Sequence, residues 1–245
     1  SNAGNVSQFL SALIEGRSGI STVQGFDTSK MRVHIGGEIK GLDPPPPDMD
    51  RVSQLALIAA REAFKNARLT DFEADGVVFG TLSGGALTFE KLVLDGISDE
   101  CLVSKLSADS SARWIADNLN LKGTLITISN ACAAGTAALG YALDQVRYGK
   151  LDLVLAGGSE TFNLTTFCGF HALRSLDPVA CRPFDRGRQG LVIGEGAGFL
   201  VFESLEHAEK REANIKAEVL GYGLSSDAYH ETTPDPTGEG AAQCM

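Results

Sequence analysis

The run from Thr124 to Ala156 constrains this chain more than any other stretch. Thr124-Leu125-Ile126-Thr127-Ile128-Ser129 is apolar and β-branched, Asn130-Ala131-Cys132 interrupts it, and the following residues to Tyr148 are mostly alanine, glycine and leucine, closed by Gly149. Leu151-Asp152-Leu153-Val154-Leu155-Ala156 is apolar again. The pattern predicts a buried strand over 125–129, a helix over 133–148 and a second strand over 151–156. Strand, helix and strand in that order imply a parallel pair joined by a right-handed crossover. Strands this continuously apolar belong to a sheet covered on both faces. The fold class is therefore α/β.

Other elements follow from spacing. Val6, Phe9, Leu10, Leu13 and Ile14 recur at helical intervals and Gly16 stops them. Asp43-Pro44-Pro45-Pro46-Pro47-Asp48 is a stiff spacer. Val52, Leu55, Ala56, Ala59, Ala60, Ala63, Phe64 and Ala67 mark a second helix, and Trp114, Ile115 and Leu119 a third over 109–120. A short buried strand over 76–80 leads into the glycine-rich loop 81–85. Leu191 to Ile193 and Gly198 to Phe202 read as a pair of strands, and Ala217 to Gly221 as another.

Cys132 is the residue with the clearest chemical potential. A cysteine at this kind of site is either an inert, buried small hydrophobe or a nucleophile whose thiol ionises readily at the positive end of a helix. The small residues from Ala133 to Ala138 leave space for a substrate, and the cysteine's own N–H lies where it can help bind an oxyanion. From this pattern alone both readings stay open. Ala156-Gly157-Gly158-Ser159-Glu160 ends the next strand at the same sheet edge, where α/β sites collect. In Cys181-Arg182-Pro183-Phe184-Asp185-Arg186-Gly187-Arg188, an Arg182–Asp185 pair is expected to pin a loop. The glycines from Gly187 to Gly198 lack the Gly-Lys-Ser/Thr ending of a phosphate loop and no helical pattern follows them. A thiol nucleophile wants an imidazole nearby. His34, His171, His207 and His230 lack any context that marks one as that base; His207, on a charged helix, reads as solvated.

Bulk properties narrow the partners. The net charge is −10 with Lys and Arg scattered, which argues against nucleic acid. No apolar run approaches the roughly 18 residues of a membrane span. Five cysteines without framework spacing indicate free thiols and a cytoplasmic location. A faint Cys168–His171 spacing has no second pair, so no metal is expected. Ser1-Asn2-Ala3, without an initiator methionine, reads as a tag remnant before a domain over 4–245.

Five stretches together resemble the β-ketoacyl-acyl-carrier-protein synthase family: Ser129-Asn130-Ala131-Cys132-Ala133-Ala134-Gly135, the 156–160 motif, Arg182-Pro183-Phe184-Asp185-Arg186, Gly194-Glu195-Gly196-Ala197-Gly198 and Ser225-Ser226-Asp227-Ala228-Tyr229-His230. Their order and spacing match as well, and the likeness runs from Val6 to Met245. The resemblance implies a thiolase-like fold, a mixed and mostly parallel sheet flanked by helices, of which this chain would be one half of a duplication. It implies that Cys132 takes an acyl group from a phosphopantetheine thioester and passes it to the carbanion of a decarboxylating malonyl thioester. It implies substrate-binding positions at Phe170 (acyl pocket), Arg174 (carrier entrance) and Thr232, within a loop over 227–233 in which Glu231 replaces an apolar residue. No cofactor is implied beyond the pantetheine arm of the acyl carrier protein, the expected partner. Family members are two-fold dimers, so self-association is expected.

The family pattern also includes a first strand and a second half bearing two histidines, a lysine and a glycine-rich turn; these have no counterpart in residues 4–245. The expectation is therefore a nucleophile-bearing N-terminal half, inactive alone for full condensation and prone to oligomerise. The segment over 94–110 differs from housekeeping elongation enzymes and points to a specialised pathway. The rival reading is a non-catalytic, chain-length-factor-like subunit of a heterodimer, against which Cys132 argues. The Arg182–Asp185 and Ser225–His230 matches favour the elongating branch over a thiolase or starter-type synthase.

Overall fold

The computed structural model describes residues 4–69, 74–96 and 100–245. Residues 1–3, read from the sequence as a tag remnant, and residues 97–99 of the divergent 94–110 segment lie outside the described residues. In chain order the elements are α1 (Val6–Ile14), β1 (Ser21–Thr22), β2 (Ile35–Gly36), α2 (Arg51–Asn66), β3 (Gly76–Gly80), α3 (Ala86–Leu94), α4 (Glu100–Val103), α5 (Ser110–Asn118), β4 (Thr124–Ile128), α6 (Ala134–Arg147), β5 (Leu153–Glu160), α7 (Leu164–Ala172), β6 (Gly196–Glu203), α8 (Leu205–Lys210) and α9 (Glu239–Cys244).

The main sheet has the order β4-β3-β5-β6. β3 pairs in parallel with both β4 and β5, and β6 runs antiparallel to β5, so the sheet is mixed and mostly parallel. The α6 crossover joins β4 to β5, as expected, but these strands are not neighbours: β3 lies between them. The two strands are parallel, as expected, and only their adjacency is corrected. Periodicity identifies a strand and its connection; the choice of ladder partner belongs to the whole sheet.

Alternation along the central strands distributes the core. Val77, Phe79, Leu153 and Leu155 face α2 and α5, where Phe64, Ala60, Ile115 and Leu119 meet them. Val78, Val154 and Ala156 face the other way, toward Ala138, Ala142 and Leu143 of α6. Successive side chains on a strand point to opposite faces, so one sheet feeds two cores. β3 and β5 are buried almost throughout, as a doubly covered sheet requires. β4 is not the buried strand that its composition suggests. It is an edge, half-exposed along its length, with Leu125 41% exposed.

A third cluster, Val23, Val33, Phe162, Phe167 and Leu176, joins the small β1–β2 ladder to α7. Phe26 stacks on Phe162 at 5.3 Å between ring centroids, and Phe167 meets Phe162 edge-on at 5.7 Å. Phe79 stacks on Phe199 at 6.2 Å across β3 and β6. Such pairs add roughly 0.5–1.5 kcal/mol beyond area burial.

Four helix starts are set by capping side chains. Asn5, Asp50, Asn163 and Ser204 cap α1, α2, α7 and α8 by accepting backbone N–H bonds. Gly149, in the left-handed region at φ 62°, ends α6 as its place in the sequence predicts. Two expected strands do not form. Leu191 exchanges bonds with the 175–177 segment, and Gly194 bridges Gly37, so 191–193 runs beside those chains and not beside β6. The 217–221 segment touches α6, where the Leu220 carbonyl accepts from Arg147 Nη2 at 2.8 Å, and it has no ladder partner among the described residues. A strand is defined by its partner's hydrogen bonds and not by its own composition.

Candidate active site

Cys132 stands on a single 3-10 turn, Ala131–Ala133, between the C-terminal end of β4 and the first residue of α6. The thiol is exposed, not buried. Ala131, the residue before it, has φ 55°, a conformation that costs a residue with a Cβ roughly 1 kcal/mol. The strand is thus turned sharply into the helix and the cysteine is presented at the corner.

The close seating of α6 on the sheet depends on two glycines. A Cβ on Gly80 would stand 2.5 Å from the Ala134 carbonyl oxygen and 2.8 Å from the Gly135 nitrogen. A Cβ on Gly158 would stand 2.6 Å from the Gly80 oxygen and 3.6 Å from the Gly135 Cα. The start of α6 therefore rests directly on the ends of β3 and β5. Gly80→Ala should push this helix start outward, lower stability by about 1–3 kcal/mol and slow chemical labelling of Cys132; a thermal melt with a timed thiol-labelling assay checks both.

Glu160, at the end of β5, reaches the loop after β3. Its Oε2 accepts from the Leu82 N–H at 2.6 Å, the Ser83 N–H at 3.3 Å and Thr81 Oγ1 at 3.2 Å, and its Oε1 from Ser83 Oγ at 2.5 Å. Ser129 Oγ, three residues before the cysteine, donates to the Leu82 carbonyl at 3.2 Å. The 81–85 loop, the 156–160 motif and the Cys132 turn, singled out separately in the sequence, are thus one bonded assembly. Beyond it, α3 sends Glu90 to the start of α7, where its carboxylate accepts from the Leu164 and Thr165 N–H groups at 3.2 and 2.6 Å. Neither α3 nor α7 is evident from periodicity: α3 buries none of its residues and α7 only Phe167. Asn163 before Leu164 was the available signal for α7.

Phe170 lies on α7, partly buried against the Phe162–Phe167 cluster. Arg174 follows the same helix, exposed and left-handed at φ 54°, its N–H bonded to the His171 carbonyl. Thr232 is in an exposed loop, its N–H donating to His230 Nδ1 at 3.1 Å, and the Asp227–Asp235 bond closes that loop. The bonds of the Thr232 loop are local, so it is not tied to the Cys132 assembly as Glu160 is.

Two loop carboxylates escaped sequence reasoning. Arg182 pairs with Asp177 at 3.1 Å and not with Asp185, which instead accepts from the Gly187 N–H. Asp177 is closer to being a hub: it is fully buried and also accepts from the Val179, Ala180 and Gln189 N–H groups. Those backbone bonds, chiefly from Val179 and Ala180, hold its carboxyl far below the ordinary range against the opposing effect of burial. Glu195, within the 194–198 motif, accepts from Arg51 at 2.7 and 3.0 Å and from the Ile39 and Phe162 N–H groups. It gathers β2, α2 and the end of β5 around one carboxylate.

Each histidine is bonded to a partner other than Cys132. His171 Nε2 accepts from the Arg32 N–H, His34 bonds Thr28, and His230 bonds Thr232. His207 is half-buried and bonded to Glu203 at 2.8 Å, which corrects the solvated reading. Among the described residues no helix is long and apolar enough to cross a membrane.

Cys132 is an exposed cysteine on a strand–turn–helix corner, at the carboxyl edge of a mixed α/β sheet, where α/β sites collect. Comparisons with known proteins give the family. The family model "Beta-ketoacyl synthase, N-terminal domain" matches residues 1–208, and the chain belongs to the β-ketoacyl synthase family. It is 40% identical over 255 aligned positions to the 3-oxoacyl-[acyl-carrier-protein] synthase 2 of Staphylococcus aureus strain N315, covering 95% of this chain and 62% of the relative. It is 37% identical to Nodulation protein E of Rhizobium meliloti strain 1021, covering 90% of this chain and 59% of that protein. The solved ishigamide ketosynthase/chain length factor superposes with a TM-score of 0.86 at 36% identity, covering 98% of this chain and 64% of that one. The ketosynthase complex AntDE:AntF superposes at 0.82 with 28% identity, covering 98% of this chain and 64% of that one. The fold is thus the thiolase-like one, and the chain spans about 62% of the length of the Staphylococcus relative.

Proposed function

We propose that this chain carries the nucleophile of a 3-oxoacyl-[acyl-carrier-protein] synthase. Cys132, as thiolate, attacks an acyl thioester carbonyl; the carrier thiol leaves and an acyl-cysteine remains. A malonyl thioester then loses CO2, and the resulting carbanion displaces Cys132 from the acyl group. The product is a 3-oxoacyl thioester two carbons longer. N–H groups at the turn and the start of α6 face the developing oxyanion.

The observation that carries the reading is the exposed Cys132 at the β4–α6 corner. Phe170 would line the acyl chain, with Arg174 and Thr232 near the pantetheine arm. No cofactor is needed beyond that arm. The acyl carrier protein is the proposed partner; the structural neighbour AntDE:AntF is a type II acyl-carrier protein in complex with its ketosynthase. The free exposed cysteines suit a reducing, cytoplasmic setting.

The exposed apolar stripe of α1, Val6, Phe9, Leu10, Leu13 and Ile14, supports self-association of the isolated chain. We expect light scattering to report dimers or larger species; a monodisperse monomer would count against this. The four histidines stand in other contacts, so we expect the chain alone to acylate but to turn over malonyl thioester negligibly. Radiolabelled malonyl-carrier condensation measures this, and turnover by the isolated chain would overturn it. Failure of acyl transfer to Cys132 would instead favour the non-catalytic subunit reading.

A further inference from the structure

We propose that Glu160 is a positioning residue for Cys132, acting through Leu82 and Ser129. The inference rests on Cys132 being the acyl acceptor. Four donors of one loop converge on the Glu160 carboxylate: two backbone N–H groups, of Leu82 and Ser83, and two hydroxyls, of Thr81 and Ser83. Thr81 Oγ1 in turn accepts from the Gly84 N–H at 3.1 Å. Leu82 is held from both sides, its N–H by Glu160 and its carbonyl by Ser129 Oγ. The adjoining Thr81 N–H donates to the carbonyl of Ile128, the last residue of β4. The loop therefore bridges the end of β5 to the two residues from which the nucleophile turn departs.

That turn needs support. Ala131 is left-handed at φ 55°, and a residue with a Cβ holds that conformation only where its surroundings over-determine it. Ser129, two residues earlier, is the anchor of its N-terminal side. A carboxylate suits the other end of the linkage because it presents about four lone pairs and no donor. A glutamine at 160 would offer one neutral oxygen: with that oxygen on the Leu82 and Ser83 N–H groups, its NH2 group faces Ser83 Oγ and reverses that bond, and the charge-assisted character of the remaining bonds is lost, so the loop is held less firmly. The consequence reaches Cys132 as a misplaced nucleophile, and small displacements of a reacting group cost large factors in rate.

The test uses the full chain and a small acyl thioester, reading acylation of Cys132 by intact and peptide mass spectrometry. Alkylation of the exposed Cys168 by iodoacetamide is the internal control for folded protein. Glu160→Gln should slow Cys132 acylation roughly tenfold or more while Cys168 alkylation stays unchanged. Ser129→Ala, at an exposed position, should slow it in the same sense. The double variant should be no slower than the slower single one, because both cut the same linkage. Multiplicative effects, or singles that acylate at the wild-type rate, overturn the proposal. If Glu160→Gln fails to fold, Ser129→Ala decides alone, slowing in support and an unchanged rate against. Wild-type protein that never acylates Cys132 overturns the functional reading itself, a result distinct from any difference between the variants.

Discussion

Cys132→Ala is expected to abolish acyl-enzyme formation outright. Wild-type protein incubated with an acyl thioester, or with a cysteine-directed epoxide, should gain one adduct that peptide mapping places on Cys132. The exposed Cys168 and Cys181 provide the comparison, since they share its accessibility but not its place before a helix. The first N–H groups of α6 lack intrahelical partners and, on the proposed reading, would bond the oxyanion formed beside Cys132. Cys168 lies well inside α7, and Cys181 lies in a loop without a helix to follow it. Labelling should therefore favour Cys132 by about tenfold or more, a difference of about 1.4 kcal/mol in barrier. Equal labelling of the three thiols would remove the argument for a nucleophile.

The second large effect is on stability. Arg51→Ala should lower the unfolding free energy by about 3–5 kcal/mol, because it strands a buried carboxylate. The Glu195 side chain is 3% exposed and that of Arg51 20% exposed, and they form two parallel bonds. Burial raises the Glu195 pKa, but the Arg51 bonds and the Ile39 N–H outweigh it and bring the group below its ordinary value. With a depressed folded pKa, the contribution is complete above the ordinary carboxylate pKa, about 4.5, and is lost as pH falls through the folded value. In Arg51→Ala the raising effect of burial prevails and the sign reverses. Its folded state holds a proton more tightly than its unfolded state, so the variant gains stability as pH drops from neutral. The gap between wild type and variant should thus be widest near neutrality and close on acidification. Denaturant titrations at several pH values measure it, and a gap that does not change with pH would contradict the assignment.

What was legible in the sequence was what short-range physics dictates. The α6 helix and its end at Gly149 follow from a run of small residues and a left-handed stop. The α2 helix follows from apolar spacing, and Cys132 is identifiable because a strand signal meets a helix signal at that residue. What was not legible depends on partners distant in the chain. α3 and α7 carry little periodic burial, since they are held by end contacts such as Glu90 and Asn163 and not by an apolar face. Proximity in the chain favours Asp185 as the Arg182 partner, whereas Asp177 is already buried where the loop folds back and takes the bond. Residues 217–221 have strand-like composition but lie over α6, with Tyr222 packed where a side chain on Gly140 would stand.

The amino-acid sequence by itself determined the α/β class, the corner at Cys132 and the end of α6 at Gly149, because each follows from local conformational preference. The tertiary structure alone decided that β3 separates β4 from β5, and so that the 81–85 loop emerges between the cysteine turn and Glu160. Strand order is set by the collective burial of two sheet faces, which no single segment encodes. From that order comes the bonded assembly of Glu160, Leu82 and Ser129 beside the Cys132 turn.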